Sequence, residues 1–392
     1  MSGRRLRVGL VCPYSFDSPG GVQNHVLGLA RHLIAEGHQP EVLAPGELGA
    51  AAEVLAPELF TSAGATVPVR YNGSVARVNF GPLSAARVRR WLRSHTFDLL
   101  HIHEPITPSI SILALWAAEV PVVATFHTAT PRSRSMQLAG GAMRASIEKI
   151  DAGIAVSESA RNVVVQHLGR DAVVVPNGFR TADFAEPSPA LASAPAAQHG
   201  RWRGGDTPRL VFLGRLDEPR KGLDVLLAAL PLIRARRPDV RVVVAGQGSH
   251  ILPAGCETLG SISDGEKARL LAGADVFVAP HRERESFGIV LLEAMASGAP
   301  VVASDLAPFA DLLGGGARPR AGRLGELFST GDPADLARAV VRVLEHPDPE
   351  RARRAQQAVQ RYDWSVVGPE ITAVYRAALA VADPGRSREH AS

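Results

Sequence analysis

Short apolar runs alternate along the chain with stretches whose apolar positions recur every three or four residues, a pattern that predicts strands and helices wound into parallel sheets. Residues 6–12 form the first apolar strand, 13–21 are rich in turn residues, and 22–35 are amphipathic and closed by Gly37. Strand-like runs recur at 40–44, 99–103, 120–126, 153–155 and 172–175. From 185 to 208 the chain becomes rich in Ala, Pro, Ser and Gly, the composition of a linker. A second unit then repeats the opening: a strand at 209–213, a loop at 214–222 and a helix at 223–236, with further strands at 240–245, 276–279 and 300–303 and a helix at 333–344. A last helical stretch, 365–381, follows Tyr362 and Trp364, and the polar tail begins at Asp383. The expected fold is α/β with two doubly wound parallel-sheet domains, 1–184 and 209–364, joined by the linker and followed by a separate helix. Ligands of such sheets bind beyond the carboxyl ends of the strands, so two facing sheets imply a cleft between them.

A chain of 392 residues, 46% hydrophobic, is long enough for two cores, and its net charge of +4 gives no general reason to expect nucleic acid. Cys12 and Cys256 lack metal-ligand spacing and read as reduced thiols of a cytoplasmic protein. The apolar run at 8–12 is too short for a signal-peptide core, and no window approaches the ~18 apolar residues of a spanning helix. The nearest candidate, 106–118, is broken by Thr107, Pro108, Ser109 and Ser111, so any membrane contact is expected to be peripheral.

Candidate chemistry concentrates in Glu285-Ser286-Phe287-Gly288-Ile289-Val290-Leu291-Leu292-Glu293, between the apolar runs 276–279 and 300–303. Ser286 reads as a helix cap, and Gly288 as a point of close backbone approach. Glu293 is expected in the third turn of the following helix. A loop with free amides feeding a helix suits a phosphate, and a carboxylate inside the helix suits ribose hydroxyls; a cap and a solvated face read equally from this stretch alone. Arg215 and Lys221, six apart in a glycine-flanked loop, suit either a diphosphate or a solvated basic turn. His127 ends a strand and reads as a structural imidazole or a site residue. His101 and His103 share a strand face beside Glu104, but without a further ligand they make no metal site.

The loop 18–21 is a weak phosphate signal, and 71–77 are a turn and a polar stretch. Helix 84–94 carries Val88, Trp91 and Leu92 on one face and Arg87, Arg90 and Arg93 on another, with Arg89 as a fourth cation. Such a helix fits an anionic membrane surface, at about 1 kcal/mol per cation, or packs on the sheet with a solvated arginine face.

Glu-Ser-Phe-Gly-Ile-Val-Leu-Leu-Glu-Ala-Met-Ala-Ser-Gly from Glu285 closely resembles the donor-site signature of retaining glycosyltransferases of family 4, which have the GT-B fold of two facing Rossmann-like domains. Gly-Arg-x-x-x-x-x-Lys-Gly from Gly214 resembles their diphosphate clamp. Residues 11–17, 19–23, 71–77, 101–105, 217–222 and 362–367 together resemble the actinobacterial phosphatidyl-myo-inositol mannosyltransferase family over most of the chain. The resemblance implies retaining transfer of mannose from GDP-mannose to the inositol ring of phosphatidylinositol at the inner face of the plasma membrane. No obligatory catalytic metal or other cofactor is implied. It also implies that the last helix crosses back to the N-terminal domain.

By position, the resemblance implies catalytic roles for His127, Arg215, Lys221 and Glu285. Gly21, Asp264, Lys267, Phe287, Gly288, Ile289, Val290 and Glu293 would hold the donor. Tyr14, Gln23, Tyr71, Arg77, Thr128 and Arg132 would surround the acceptor. Arg87, Arg89, Arg90, Trp91 and Arg93 are the expected membrane contacts. The chain has Arg282-Glu283-Arg284 where the family has Gly-Gly before Glu-Ser-Phe-Gly, so side chains stand where backbone should approach phosphate. Two rival readings are another retaining transferase of this fold with a different acceptor or nucleotide sugar, and a nucleotide-binding homologue impaired in catalysis.

Overall fold

Runs of Val, Leu, Ile and Ala without polar alternation make strands that are buried on both faces, which is the environment a parallel sheet provides. The computed structural model describes residues 4–17, 20–71, 74–127, 145–185, 207–283, 285–315 and 322–382. The chain divides into two compact units, one formed by Met1–Phe179 with Tyr362–Ser392 and the other by Arg180–Arg361.

In the first unit, β1 (Arg7–Val11), β2 (Gln39–Ala44) and β3 (Phe60–Ser62) precede a hairpin of β4 (Val67–Tyr71) and β5 (Ser74–Val78). Then follow β6 (Leu99–His103), β7 (Val122–Phe126), β8 (Ala152–Ala155) and β9 (Val173–Val174). The order β3-β2-β1-β6-β7-β8-β9 is parallel throughout, with Val8 opposite both Pro40 and Leu99. Strand order reverses between β1 and β6, so their carboxyl ends flank the crevice where doubly wound sheets bind ligands.

Helix Gly21–Ala35 covers one face with Val26, Leu29 and Leu33, joined there by Val367, Ile371 and Tyr375 of the last helix, Trp364–Ala382. Trp364 seats this helix: a Cβ added at Gly28 would overlap the indole, so only a residue without a side chain allows the approach. The opposite face holds Val11, Ile102 and Ala124 against Val88, Trp91 and Ile110.

Helix Pro82–Ser94 corrects one expectation. Trp91 is 2% exposed and packs on Phe97 with ring centroids 4.6 Å apart, because the helix turns its apolar stripe inward. The indole is therefore core, and the helix offers Arg89, Arg90 and Arg93 outward. Arg87 is also exposed but donates to the Ala63 carbonyl at 3.2 Å.

The second unit contains β10 (Arg209–Leu213), β11 (Arg241–Ala245), β12 (Cys256–Gly260), β13 (Val276–Ala279), β14 (Val301–Ser304) and β15 (Glu326–Phe328). Their order, β12-β11-β10-β13-β14-β15, is again parallel, with Leu210 opposite Val242 and Val276. Helices Leu223–Arg234 and Pro333–Glu345 cover one face through Leu226, Leu230, Leu336 and Val340. Here the order reverses between β10 and β13.

Short edge strands β3 and β15 carry too little apolar signal to be read from the sequence. Helix Pro349–Ala358 buries only Ala355 and is tied down instead by Arg351, whose Nη1 lies 2.7 Å from buried Glu326. Among the described residues no helix is long and apolar enough to cross a membrane; the apolar stretch near residue 110 forms Ile110–Ala117, eight residues long. Most of the expected linker, residues 186–206, and the tail from 383 lie outside the described residues.

Candidate active site

The second unit brings Lys221, His281 and Glu285 together at the reversal between β10 and β13. Lys221 ends a short 3-10 turn, Pro219–Lys221, closed by Gly222 at φ 72°. A Cβ at Gly222 would overlap the Pro280 carbonyl, so this glycine lets the lysine loop lie directly on the segment after β13. Lys221 Nζ is 3.5 Å from Glu285 Oε2, and His281 Nδ1 is 2.9 Å from the same oxygen. Glu285 Oε1 accepts from the amides of Ser286 at 3.2 Å and Phe287 at 3.5 Å.

Burial would raise the Glu285 carboxyl, but Lys221 and His281 override it and hold the group well below the usual carboxylate range. The same burial lowers Lys221 against the pull of Glu285, and burial with Lys221 nearby lowers His281 to about 4. At neutral pH the trio is a carboxylate, an ammonium and a neutral imidazole. Arg215 leaves the same loop as Lys221 but stands on the surface, 44% exposed, with Asp217 at 3.4 Å.

The cap assignment for Ser286 is corrected. Gly288, at φ 99°, is the N-cap of helix Ile289–Ala296 and no side chain caps it, because the chain enters the helix through a left-handed residue. The helix begins at Ile289, so Glu293 lies in its second turn rather than its third. Phe287 is buried, while Ile289 and Val290 are half-buried at the helix start.

Glu293 joins a second ionic group. Lys267 Nζ sits 2.7 Å from Glu293 Oε1 and 2.8 Å from Asp264 Oδ1, over the Phe184 ring at 5.4 Å. Burial raises the Glu293 carboxyl against the pull of Lys267, and Lys267, although buried, is raised by Glu293 and Asp264. Asp264 opens helix Asp264–Ala272 behind a capping box of Ser263 and Glu266.

Arg282, in the stretch just before Glu285, turns its side chain to Asp224 at 2.6 Å, and its amide donates to the Arg220 carbonyl. Arg284 lies outside the described residues.

In the first unit the strand ends form a buried histidine array. His101 and His103 do share a face, their rings stacked at 4.3 Å. His101 bridges Tyr375 Oη at 2.7 Å and Thr125 Oγ1 at 2.6 Å. His103 Nδ1 lies 3.0 Å from His127 Nε2, and His25 packs edge-on to both rings. Burial keeps all four neutral, with His101 and His127 lowered to about 3 and His25 and His103 lowered well below the ordinary imidazole value.

His25, His103 and His127 are the described group that could hold a metal, with ligand atoms within 4.8 Å of one another. Nitrogens around a tetrahedral ion with ~2.0 Å bonds lie only about 3.3 Å apart, and His103 and His127 already face each other, so the rings as placed form a packed array.

Glu104 at the end of β6 has φ 50°, unusual for a residue with a side chain, and accepts from the His127 amide at 2.8 Å, fixing the backbone there. Around β1, Gln23 donates to the Ser15 carbonyl at 3.2 Å, and the Ser15 amide donates to the Arg77 carbonyl at 3.1 Å. Tyr14, Gln23 and Arg77 are thus neighbours through that loop, and a Cβ at Gly21 would meet only open space. Thr128, Arg132, Ser18 and Pro19 lie outside the described residues, as does the Tyr71 side chain.

Sequence reading missed His25 and His281. The position of His281, four residues before Glu285 and directly after a buried strand, was the available signal.

Two doubly wound parallel sheets, with a lysine and carboxylates gathered beyond the strand reversal of the second, have the architecture of the GT-B class of glycosyltransferases. Family models agree: Glycosyltransferase Family 4 matches residues 19–183 and Glycosyl transferases group 1 matches 207–346. The folds of HepE from Anabaena, solved with UDP and glucose, and of a glycosyltransferase from Rickettsia africae are similar. Their TM-scores are 0.70 and 0.74, at 21% and 17% identity, covering 95% and 96% of this chain and 100% and 99% of theirs. Phosphatidyl-myo-inositol mannosyltransferase of Propionibacterium freudenreichii is 47% identical over 376 residues, 95% of both chains. The enzyme of the same name from Mycolicibacterium smegmatis is 47% identical over 381 residues, 94% of this chain and 93% of its own. The chain belongs to the phosphatidyl-myo-inositol mannosyltransferase family.

Proposed function

We propose that this enzyme transfers mannose from GDP-mannose to the inositol ring of phosphatidylinositol, with retention at the anomeric carbon. The observation that carries this reading is the 47% identity to a phosphatidyl-myo-inositol mannosyltransferase along 95% of both chains. In this reading Lys221 and Arg215 receive the diphosphate, where fixed cations stabilise the charge that develops as the sugar departs. Glu285 and the amides at the start of helix Ile289–Ala296 meet the sugar and its phosphate. Glu293, with Lys267 and Asp264, takes the nucleoside end. Gly21 leaves room for backbone contact with the donor. His127 faces the transferred sugar, and Tyr14, Gln23, Tyr71, Arg77, Thr128 and Arg132 surround the inositol phosphate. The departing phosphate assists the incoming hydroxyl on the same face.

The reading places the enzyme peripherally on an anionic membrane at the cytoplasmic side. Supporting this are outward Arg89, Arg90 and Arg93 beside Leu83, which is 75% exposed, and Phe80, 53% exposed. The test is incubation of labelled GDP-mannose or UDP-glucose with phosphatidylinositol or other phospholipids. A mannolipid formed only from GDP-mannose and phosphatidylinositol supports the reading, and turnover only with another donor or acceptor replaces it.

A further inference from the structure

His281 has a role that the donor clamp does not contain. Its side chain is 1% exposed, held between Phe309, whose ring centroid is 5.0 Å away, and the Glu285 carboxylate at 2.9 Å. Its Nε2 is also buried and has no hydrogen-bond partner among the described residues. Glu285 is ionised and only accepts, so the single proton of the neutral ring sits on Nδ1 and is donated to Oε2. That oxygen is also the one nearest Lys221. Oε1 is occupied separately by the amides of Ser286 and Phe287. Three directions therefore fix the carboxylate: backbone at one oxygen, imidazole and ammonium at the other.

We propose that His281 is a positioning residue: its Nδ1–H holds Glu285 in the one orientation that leaves the Lys221 ammonium oriented for the donor's diphosphate. The proposal rests on reading this site as the donor site. Without the imidazole donor, Oε2 loses a neutral partner and Glu285 turns to satisfy itself more fully on Lys221, so the cation is drawn away from the leaving group. Donor binding through Glu293 and Lys267 persists, and the chemical step suffers.

Two substitutions separate this role from simple packing. His281→Asn keeps an N–H close to the position of Nδ1 but loses ring volume, whereas His281→Phe keeps ring volume and loses the donor. The expected result is a kcat lower by ~10-fold or more in His281→Phe, with the donor KM within ~3-fold, and a kcat within ~3-fold of the parent enzyme in His281→Asn. The reverse order, Phe harmless and Asn damaging, overturns the proposal.

A readout independent of turnover is the imidazole nitrogen spectrum of 15N-histidine-labelled enzyme. Between pH 6 and 8 a proton on Nδ1 and a bare Nε2 support the proposal, and the opposite tautomer refutes it, even for a variant too unstable to assay. An absence of mannose transfer by the parent enzyme removes the functional reading, while the tautomer still decides whether His281 holds Glu285.

Discussion

Replacing Lys221 by Met removes the ammonium from a largely buried pair while keeping most of the side-chain volume. The Nζ to Oε2 separation of 3.5 Å corresponds to a gross attraction of about 5 kcal/mol at an effective dielectric of about 20. Desolvation offsets much of this, and the side chains retain 16% and 14% exposure, so the net cost of breaking the pair is expected near the lower end of the ~3–5 kcal/mol typical of buried pairs. Glu285→Gln breaks the same pair from the other side. Removing both charges together leaves neither ion uncompensated, and the double variant should regain roughly 2 kcal/mol relative to the sum of the singles.

Turnover should behave differently: Lys221→Met is expected to lose ~10²- to 10³-fold in kcat, and the second substitution should restore none of it. Urea unfolding of all four proteins at pH 7, with initial rates on the same preparations, reads both quantities. Additive stabilities, or turnover within a few-fold of the parent in Lys221→Met, would refute the pairing and the clamp respectively.

Acid should destabilise the fold below about pH 6.5: the folded values of His101, His127 and His281 are lowered to about 3, 3 and 4, so the unfolded chain binds more protons and stability falls as pH drops through that window, which melting temperature against pH measures. Gly28→Ala should lower the melting temperature of the first unit by several degrees, since the new Cβ overlaps Trp364; an unchanged melt would contradict the seating of the last helix. Glu293→Gln should raise the GDP dissociation constant ~10-fold with a smaller change in kcat, measured by calorimetry and steady-state rates. Replacing Arg89, Arg90 and Arg93 by Ser should cut binding to anionic vesicles by about 1 kcal/mol per residue at low salt, while GDP binding stays unchanged.

The buried strands and the two parallel sheets were legible because fully buried strands are spelled by unbroken apolar runs: the sequence reading of 99–103, 209–213 and 276–279 coincides with β6, β10 and β13. The edge strand β3 was not, since it is half-exposed, and neither was helix Pro349–Ala358, which is held by ion pairs rather than by an apolar face. Trp91 was misread as a surface anchor because helix period alone does not say whether an aromatic stripe meets lipid or sheet. At the site, the motif around Glu285 was visible, but the partners of each carboxylate were not. Lys267 reaches Glu293, 26 residues on, through a folded distance that spacing does not encode. The pairing of Arg282 with Asp224, 58 residues away, was likewise not visible in the sequence.

The most direct measurement is the anomeric outcome and identity of the product when the enzyme is given GDP-mannose and phosphatidylinositol in anionic vesicles. An α-linked mannosyl-phosphatidylinositol, formed with release of GDP and lost in Lys221→Met, is the result predicted here. Tight GDP binding with no glycolipid, or an inverted β-linked product, would contradict the account.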